Sequence, residues 1–335
     1  MLARSEPPEP LWVPCARHEG LPRAPQGLLF GQGKAAILAR MKLASFHDGS
    51  RDGQLAVVSR DLGSACYASG IAATLQQALQ DWNFIAPQLQ TLSDALNSGY
   101  ARHAFAFDPA LCLAPLPRAF QWALASCAPE ESAPPGHAPD GAAPALFLAA
   151  GDTLRGPCGP LPALPGALDF EPQLAAIVAD APRAATVDQG QDAIRLLALA
   201  CPLRLREAPW ADSCPATAFA PVALTPDELG PAWQAGVASL TLQASLNGRK
   251  TGLLDTRRAW PLGQLAAACA RTRALTAGSL LGAGPTPAAS GHSSIQQRRA
   301  SGLQAAWLQA GDALHLQARA KDGAPLFGAI DLRLS

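Results

Sequence analysis

The sequence lacks an excess of charge of either sign. Its 335 residues include 26 Lys and Arg and 26 Asp and Glu, which gives a formal net charge of zero. Proteins that bind nucleic acid through its phosphates need a basic surplus or a basic stripe, so we expect no nucleic-acid partner. The sequence also lacks a long hydrophobic run, because its longest apolar stretch, residues 141–150, is half the roughly 20 residues that a membrane helix needs. We therefore expect no membrane association.

Catalytic and metal-binding side chains are also scarce. The chain contains six His and eight Cys, and no two cysteines form the C-x-x-C pair that is typical of zinc sites. No G-x-G-x-x-G follows an expected strand and no P-loop sequence occurs, so the usual nucleotide-binding motifs are missing. The N-terminus has no apolar segment of the signal-peptide type, and we expect a cytoplasmic protein with free thiols.

The residues that are present are typical of a folded chain with a sizeable core. Hydrophobic residues make up 49% of the sequence and charged residues 16%, and the length favours two domains. Residues 1–40 are rich in Pro, Gly and Arg and differ from the text that begins at Met41. We expect 1–40 to be a disordered or non-native extension ahead of a biological start at Met41, with domains at 41–115 and 116–335.

Hydrophobic spacing and turn residues predict an α+β fold, with a small N-terminal domain and a mostly β C-terminal domain. A strand, a tight Asp-Gly turn and a second strand are expected at its start, and further hairpins at Val237–Leu254, around Asn247-Gly248, and at the C-terminus around Lys321-Asp322-Gly323. Residues 127–166 are rich in Pro, Ala and Gly and are expected to form an irregular loop. Helices are expected at Ala73–Asn83, Ile85–Asn97, Val187–Ala200 and Pro261–Arg273.

Several long blocks resemble one known family. The segments ASGIAATLQQALQDWNFIAPQLQTL, LDFEPQLAAIV and PATAFAPVALTPDELG and the closing LFGAIDLRL are similar to bacterial members of the fumarylacetoacetate hydrolase family that have a short N-terminal domain. The resemblance covers about residues 41–126 and 161–335. It implies a homodimer that cleaves carbon–carbon bonds of β-diketo acids, such as fumarylacetoacetate or fumarylpyruvate, in aromatic-compound catabolism. It also implies a Mg²⁺ ion that clamps the diketo acid and a histidine that activates water.

The resemblance implies which residues would hold the metal. A hard divalent cation is bound by several oxygen ligands, and alternate residues of a strand share a face. The family has an E-x-E pair in the strand that matches Ala167–Val178, and this chain has Glu171 and Gln173 there. Asp169 would lie on the same face, either as a substitute ligand or as a family residue in its ordinary place. Pro172 indicates an edge or a bulge in this strand.

Two further family positions have lost their charge. The family's third metal carboxylate falls at Cys201-Pro202, where proline has no ligand atom. The family's lysine before the P-A-T-A-F block is replaced by Cys214, so its help with developing negative charge is lost. A lone thiol is mostly protonated at neutral pH, which makes Cys214 a poor nucleophile.

Three residues are matched to substrate binding and catalysis by the same resemblance. Arg206 falls on a basic residue of the family pattern and is kept, and Thr286, flanked by prolines, is a shifted remnant of a Thr-bearing turn. The family's catalytic histidine would fall in the irregular loop, where His137 is the candidate base. A proline- and alanine-rich loop is a poor support for a general base, so a solvated loop residue is the simpler interpretation.

The substitutions favour a protein that keeps the family fold and has lost most of its catalysis. Such a pseudoenzyme would serve as a binding protein, a regulator or a subunit of a heteromer. The alternative is an active hydrolase with a weak Mg²⁺ site at Asp169, Glu171 and Gln173 whose coordination a small diketo acid completes. The sequence leaves both open, and it predicts a homodimer or a heteromer with a related chain.

Overall fold

The apolar runs of the sequence form strands that pair over long sequence distances. A computed structural model describes residues 40–126, 144–152, 154–320, 323 and 325–335. Within these residues the strands form a twelve-stranded sheet, a six-stranded sheet and a two-stranded ribbon. Five α-helices and four short 3₁₀ turns connect them.

The elements follow one another along the chain in this order. The first ten strands are β1 (Lys42–Phe46), β2 (Gln54–Val58), β3 (Ser64–Tyr67), β4 (Phe105–Ala106), β5 (Trp122–Ala125), β6 (Leu146–Ala149), β7 (Leu154–Arg155), β8 (Cys158–Leu161), β9 (Leu168–Phe170) and β10 (Gln173–Val178). The next ten are β11 (Ile194–Leu205), β12 (Ala216–Leu224), β13 (Trp233–Gln234), β14 (Val237–Ala238), β15 (Thr241–Leu246), β16 (Arg249–Asp255), β17 (Ser279–Gly282), β18 (Ala288–Gly291), β19 (Ala313–Arg319) and β20 (Pro325–Leu334). The helices are α1 (Leu75–Gln80), α2 (Trp82–Asn97), α3 (Val187–Asp192), α4 (Leu262–Cys269) and α5 (Ile295–Ala300).

The larger sheet joins the N-terminal strands to strands from the middle of the chain and to β17. Its order is β4-β3-β2-β1-β12-β11-β10-β17-β5-β6, with β7 beside β12 and β9 beside β11. Antiparallel pairing of β1 with β12, which places Lys42 opposite Leu224, joins the N-terminal strands to the later ones. The smaller sheet has the order β18-β16-β15-β19-β20-β8. β11 therefore lies in the middle of the larger sheet, with a partner strand on each side.

Both faces of the larger sheet are covered by other elements. One core cluster joins Leu199 of β11 with Leu316 of β19. The other joins Ala198 of β11 with Leu79 of α1 and Leu89 of α2. Because successive residues of a strand point to opposite faces, the smaller sheet lies on one side of β11 and the two N-terminal helices on the other.

The structure confirms the predicted α+β class and most of its elements. α1, α2 and α4 lie in or next to their predicted stretches, and β19 and β20 form the C-terminal hairpin, whose expected turn residues Lys321 and Asp322 lie outside the described residues. Asn247 and Gly248 connect β15 to β16 with φ values of 51° and 73°, the left-handed backbone that a two-residue hairpin turn of this kind requires. β1 and β2 pair as predicted, but through the longer loop 47–53 instead of a tight turn.

The helix predicted at Val187–Ala200 was wrong beyond its first half. α3 ends at Asp192, and the apolar run that follows forms β11. Most residues of β11 are buried, because the strand pairs on both edges and is covered on both faces. A strand buried on both faces is a continuous hydrophobic run, which spacing alone does not distinguish from a buried helix.

The strand predicted at Ala167–Val178 is interrupted: its first half, β9, pairs with β11 alone among the described strands, and its second half, β10, has a partner on each side. β9 and β10 both pair with β11, with Phe170 opposite Leu203 and Gln173 opposite Ala200, so the register continues across the break. Pro172 lies in the gap, and because it has no N–H it cannot donate to the ladder. β10 also pairs with β17, which makes it a central strand.

The irregular loop predicted at 127–166 contains three short strands in its described part. β6 pairs with β5, β7 runs parallel to β12, and β8 runs parallel to β20. The partners of β7 and β8 are distant in sequence, and β8 itself contains Gly and Pro. The local composition of this segment therefore gave no indication of strands. Residues 1–39, which are all but the last residue of the expected extension, and residues 127–143 lie outside the described residues. No helix in the described part of the chain is long and apolar enough to cross a membrane.

Candidate functional site

The predicted metal residues lie on β9, on β10 and in the break between them. Asp169, Glu171 and Gln173 are 0%, 5% and 0% exposed. Leu168 and Phe170, which alternate with Asp169, belong to the core cluster that faces the smaller sheet, so the acidic side chains point to the opposite face. The expectation that these three side chains share a face therefore agrees with the strand geometry.

Arg206 brings the two carboxylates together. Its Nε and Nη2 donate to Asp169 Oδ2 at 3.0 and 2.8 Å, and its Nη1 donates to Glu171 Oε1 at 2.6 Å. Burial alone would lower the pKa of Arg206, but the charges of Glu171 and Asp169 raise it overall. The guanidinium is therefore charged at any physiological pH and is fixed by two acids at once.

Both carboxylate oxygens of Asp169 accept hydrogen bonds from other parts of the chain. Besides Arg206, its Oδ1 accepts from the backbone N–H groups of Phe170 and Ile295 at 2.8 and 2.7 Å, and its Oδ2 accepts from that of Gln296 at 3.0 Å. The carboxylate thus satisfies the first two N–H groups of α5, which have no partner within the helix. This geometry favours the interpretation of Asp169 as a family residue in its ordinary place.

Glu171 lies between two guanidinium groups. Its Oε2 is 3.8 Å from Nε of Arg204, a residue that the sequence analysis did not single out. Burial raises the pKa of Glu171, while the charges of Arg206 and Arg204 oppose that rise. Arg204 could have been found from its spacing, because it is two residues before Arg206 and points to the same face of an extended segment.

Phe147 of β6 covers the second guanidinium. The central carbon of the Arg204 guanidinium is 4.3 Å from the centre of the Phe147 ring, within the range of a cation–π interaction. The side chain of Arg204 is only 11% exposed. The aromatic ring comes from the segment that the sequence analysis assigned to an irregular loop.

Gln173 and Thr286 meet next to Pro172. Gln173 Oε1 accepts from the backbone N–H of Gly284 at 2.9 Å, and the backbone N–H of Thr286 donates to the carbonyl of Pro172 at 3.0 Å. Gln173 Nε2 and Thr286 Oγ1 are buried without a hydrogen-bond partner among the described residues. A Cβ on Gly282 would approach Gln173 Oε1 to 2.5 Å, so the amide packs directly on the backbone of β17.

The two cysteines at family positions lie in different surroundings. Cys214 Sγ is 3.7 Å from Thr217 Oγ1, which accepts from the Trp122 indole N–H at 2.9 Å. Cys201 belongs to the core cluster on the opposite face of the sheet. Burial raises the pKa of both thiols, and since the thiolate is the reactive form, neither cysteine has the properties of a nucleophile.

The histidines give no general base to this cluster within the described residues. His137 lies outside them, in 127–143. His315 Nδ1 is 2.5 Å from Asp331 Oδ1 on the smaller sheet, and His292 Nε2 is 2.9 Å from Ser301 Oγ.

The donor set does not fit the divalent cation that the resemblance implies. Such an ion needs several free oxygen ligands, but Asp169 is saturated, Glu171 lies between two guanidinium groups and Gln173 Oε1 accepts from Gly284. The side chain of Pro202 brings no ligand atom to the position of the third carboxylate, and its carbonyl accepts from the backbone N–H of Glu171 at 3.0 Å. In the described ranges, no group of three or more His, Cys, Asp or Glu is arranged to hold a metal ion. The residues form a buried ion-pair network.

Comparisons with known proteins agree with the fold. A family model described as Fumarylacetoacetase N-terminal domain 2 matches residues 41–118, and one described as Fumarylacetoacetate (FAA) hydrolase C-terminal matches residues 118–330. No curated protein matches the chain. The two matches together cover almost all of the residues from Met41 onward.

Solved structures share this fold at low sequence identity. Fumarylacetoacetate hydrolase from psychrophilic Exiguobacterium antarcticum is 17% identical with a TM-score of 0.66, over 88% of this chain and 99% of that chain. Maleylpyruvate hydrolase from Sphingobium sp. SYK-6, in complex with manganese(II) ion and pyruvate, is 19% identical with a TM-score of 0.61, over 88% and 100%. 5-Carboxymethyl-2-hydroxymuconate delta-isomerase from Mycobacterium smegmatis is 14% identical with a TM-score of 0.55, over 88% of this chain and 98% of that chain.

At these identities the likeness to solved structures shows the fold alone. The family models carry more, because the C-terminal one covers more than half of the chain. The protein has a small N-terminal domain followed by a mostly β C-terminal domain. It belongs to the fumarylacetoacetate hydrolase family.

Proposed function

We propose that this chain is a member of the family that has lost metal-dependent hydrolysis of diketo acids and acts as a binding, regulatory or partner subunit. The observation that carries the proposal is the position of Glu171, whose two carboxylate oxygens face Arg206 at 2.6 Å and Arg204 at 3.8 Å. A carboxylate in this position is already neutralised from within the chain.

The chemistry of the family explains why this arrangement is unfavourable for catalysis. Hydrolysis of a carbon–carbon bond needs an activated water and stabilisation of the negative charge that develops on the leaving carbon and its carbonyl. Within the described residues, the cluster contains no histidine to accept a proton from water. Cys214, which stands where the resemblance implies a lysine, carries no positive charge.

A divalent metal ion is present in one of the similar structures, but the residues of this chain fit such an ion poorly. The maleylpyruvate hydrolase was solved with manganese(II) and pyruvate, and Mg²⁺ is what the resemblance implies for the family. To bind to this chain, either ion would have to displace Arg206 from the two carboxylates of Asp169 and Glu171. It would also have to displace the backbone N–H of Gly284 from Gln173 Oε1. The alternative function, an active hydrolase whose weak metal site is completed by a small diketo acid, requires that displacement.

Titration calorimetry of Mg²⁺ and Mn²⁺ into the full chain, with and without oxalate as a diketo-acid mimic, tests the proposal. We expect no saturable heat at millimolar metal in either condition, and no metal-dependent cleavage of fumarylpyruvate. Saturable binding below millimolar metal that Glu171→Ala removes would contradict the proposal and favour the active hydrolase. Asp52→Ala is the matched control, because Asp52 is a partly exposed acid that pairs with Arg118.

The partner of this chain and its location stay predictions. We propose a homodimer or a heteromer with a related chain, in the cytoplasm, with a small diketo acid as ligand if the site still binds one. Light scattering coupled to size exclusion gives the mass of the assembly. A monomer at micromolar concentration would count against the homodimer.

A further inference from the structure

Arg204 is placed to act on Glu171 from the neighbouring strand. It lies on β11 directly opposite Asp169 of β9, and paired residues of neighbouring strands point to the same face. Its Nε is 3.8 Å from Glu171 Oε2, while Arg206 binds the other oxygen. Glu171 is therefore held between two cations that β11 and its extension supply.

The charges in this cluster balance without any added ion. The charged groups that act on Glu171 are Arg206, Arg204 and Asp169, which gives two carboxylates and two guanidinium groups. Removal of one guanidinium would leave one buried negative charge in excess. A buried charge without a counter-charge is strongly destabilising, so the cluster needs both arginines.

The surroundings of Arg204 are those of a fixed cation. The face of the Phe147 ring stabilises its guanidinium, and Cys214 beside it stays neutral because burial raises the pKa of its thiol. The Arg204 side chain is almost as buried as that of Glu171, at 11% against 6% exposed. Arg204 combines an aromatic cover with a buried acid as partner, while its own side chain is buried.

We infer that Arg204 is an internal counter-cation, which holds the place next to Glu171 that a divalent ion would need and supplies the positive charge that this acid requires. The inference rests on the proposed loss of the metal site. It adds that the loss is compensated within the chain by a particular side chain. The cluster is then a permanent part of the fold that needs no metal to form.

Thermal unfolding of single and double variants of the full chain tests whether Arg204 acts as a counter-charge to Glu171. We expect Arg204→Met to lower the Tm by roughly 5–10 °C, and Arg204→Lys, which keeps the charge, to lower it less. Adding Glu171→Gln to Arg204→Met should recover at least half of the loss, because the neutral amide needs no cation. Arg195→Met is the control, since Arg195 lies on the same strand and donates to the Asp192 carbonyl instead of a carboxylate.

Mn²⁺ binding, measured from the paramagnetic resonance signal of free Mn²⁺, tests whether Arg204 occupies the position of a divalent ion next to Glu171. Gln173→Glu should bind no Mn²⁺ while Arg204 is present, and Gln173→Glu with Arg204→Ala should bind it in the millimolar range. Equal binding by the two variants, or none by the second, would overturn the inference. So would an Arg204→Met Tm equal to that of Arg195→Met. Saturable Mn²⁺ binding by the wild-type chain would instead overturn the proposed function, so the two failures are distinguishable.

Discussion

Two regions of the same sheet bury positive charge in different ways. At the end of β11, Arg204 and the adjoining Arg206 face carboxylates. At β1, the ammonium of Lys42 donates to the main-chain carbonyls of Arg60 and Pro325 at 2.6 and 2.8 Å, and acids act on it only through space. Burial lowers the pKa of Lys42 to about 8, partly offset by Glu228 and Asp61, whereas acids raise the pKa of Arg206 overall. A buried cation paired with acids keeps its proton, and one bound by carbonyls is close to losing it.

The largest effect in this comparison should come from the paired region. Arg206→Met leaves Asp169 and Glu171 buried with one guanidinium between them, and removal of one partner of a buried ion pair costs about 3–5 kcal/mol. We expect that loss in the free energy of unfolding measured by urea denaturation. Arg118→Met is the control, because Arg118 binds Asp52 with comparable geometry on the surface. An unchanged Arg206→Met midpoint would mean that the ion network does not stabilise the fold.

The second effect depends on pH and belongs to Lys42. Its pKa is about 8 in the folded chain and about 10.4 in an unfolded one. Between these pH values the Lys42 side chain has lost its proton in the folded state and still holds it in the unfolded state. The contribution of Lys42 to the free energy of unfolding therefore rises with pH. Below about pH 8 both states are charged and the desolvation cost is constant.

Lys42→Met should remove this dependence. The difference in unfolding free energy between wild type and Lys42→Met should change by about 2–3 kcal/mol in favour of the wild type from pH 7.5 to pH 10.5. Lys250→Met, at an exposed position on β16, should show a flat difference over the same range. A flat difference for Lys42→Met as well would show that the lysine is charged throughout, and the contrast with the arginines would disappear.

The sequence predicted one half of the paired region and missed the other, for a physical reason. Glu171, Gln173 and Asp169 were assigned to one face from the alternation of a strand, and Arg206 was matched by resemblance. The sequence does not predict the position of Arg204, because the hydrophobic run of Val187–Ala200 also fits a helix and the strand that places residue 204 opposite residue 169 has no local signal.

Long-range pairing was the general limit of the sequence analysis. Hairpins such as β15–β16 carry their own turn residues and were predicted, because their signal is local. β6, which supplies Phe147 to the cluster, pairs with β5 across a segment of Pro, Ala and Gly, and nothing in its four residues identifies its partner. The same applies to Thr286, whose contact with Pro172 is a backbone hydrogen bond. Local patterns gave the class of the fold, and the contacts between distant strands decided the site.

The smallest expected effect comes from a buried polar pair without charge. Thr217 accepts the indole N–H of Trp122 at 2.9 Å, and both residues are almost fully buried. Thr217→Val keeps the shape of the side chain and leaves that N–H without its acceptor, which costs about 1–3 kcal/mol. Unlike the effect at Lys42, the loss should be the same at pH 7.5 and pH 10.5, because no group of the pair titrates there.

Thr241→Val is the matched control, since Thr241 is exposed on β15 and the same substitution there removes no buried partner. Urea denaturation of both variants gives the comparison. A Thr217→Val loss as large as that of Arg206→Met would mean that any unsatisfied polar group in this sheet has the same cost, charged or not. The arginines would then stabilise the fold by hydrogen bonding alone, and their charge would matter only for excluding a metal ion. A clearly smaller loss assigns the difference to the buried ion pairs, which distinguish the end of β11 from β1, where Lys42 is bound by carbonyls.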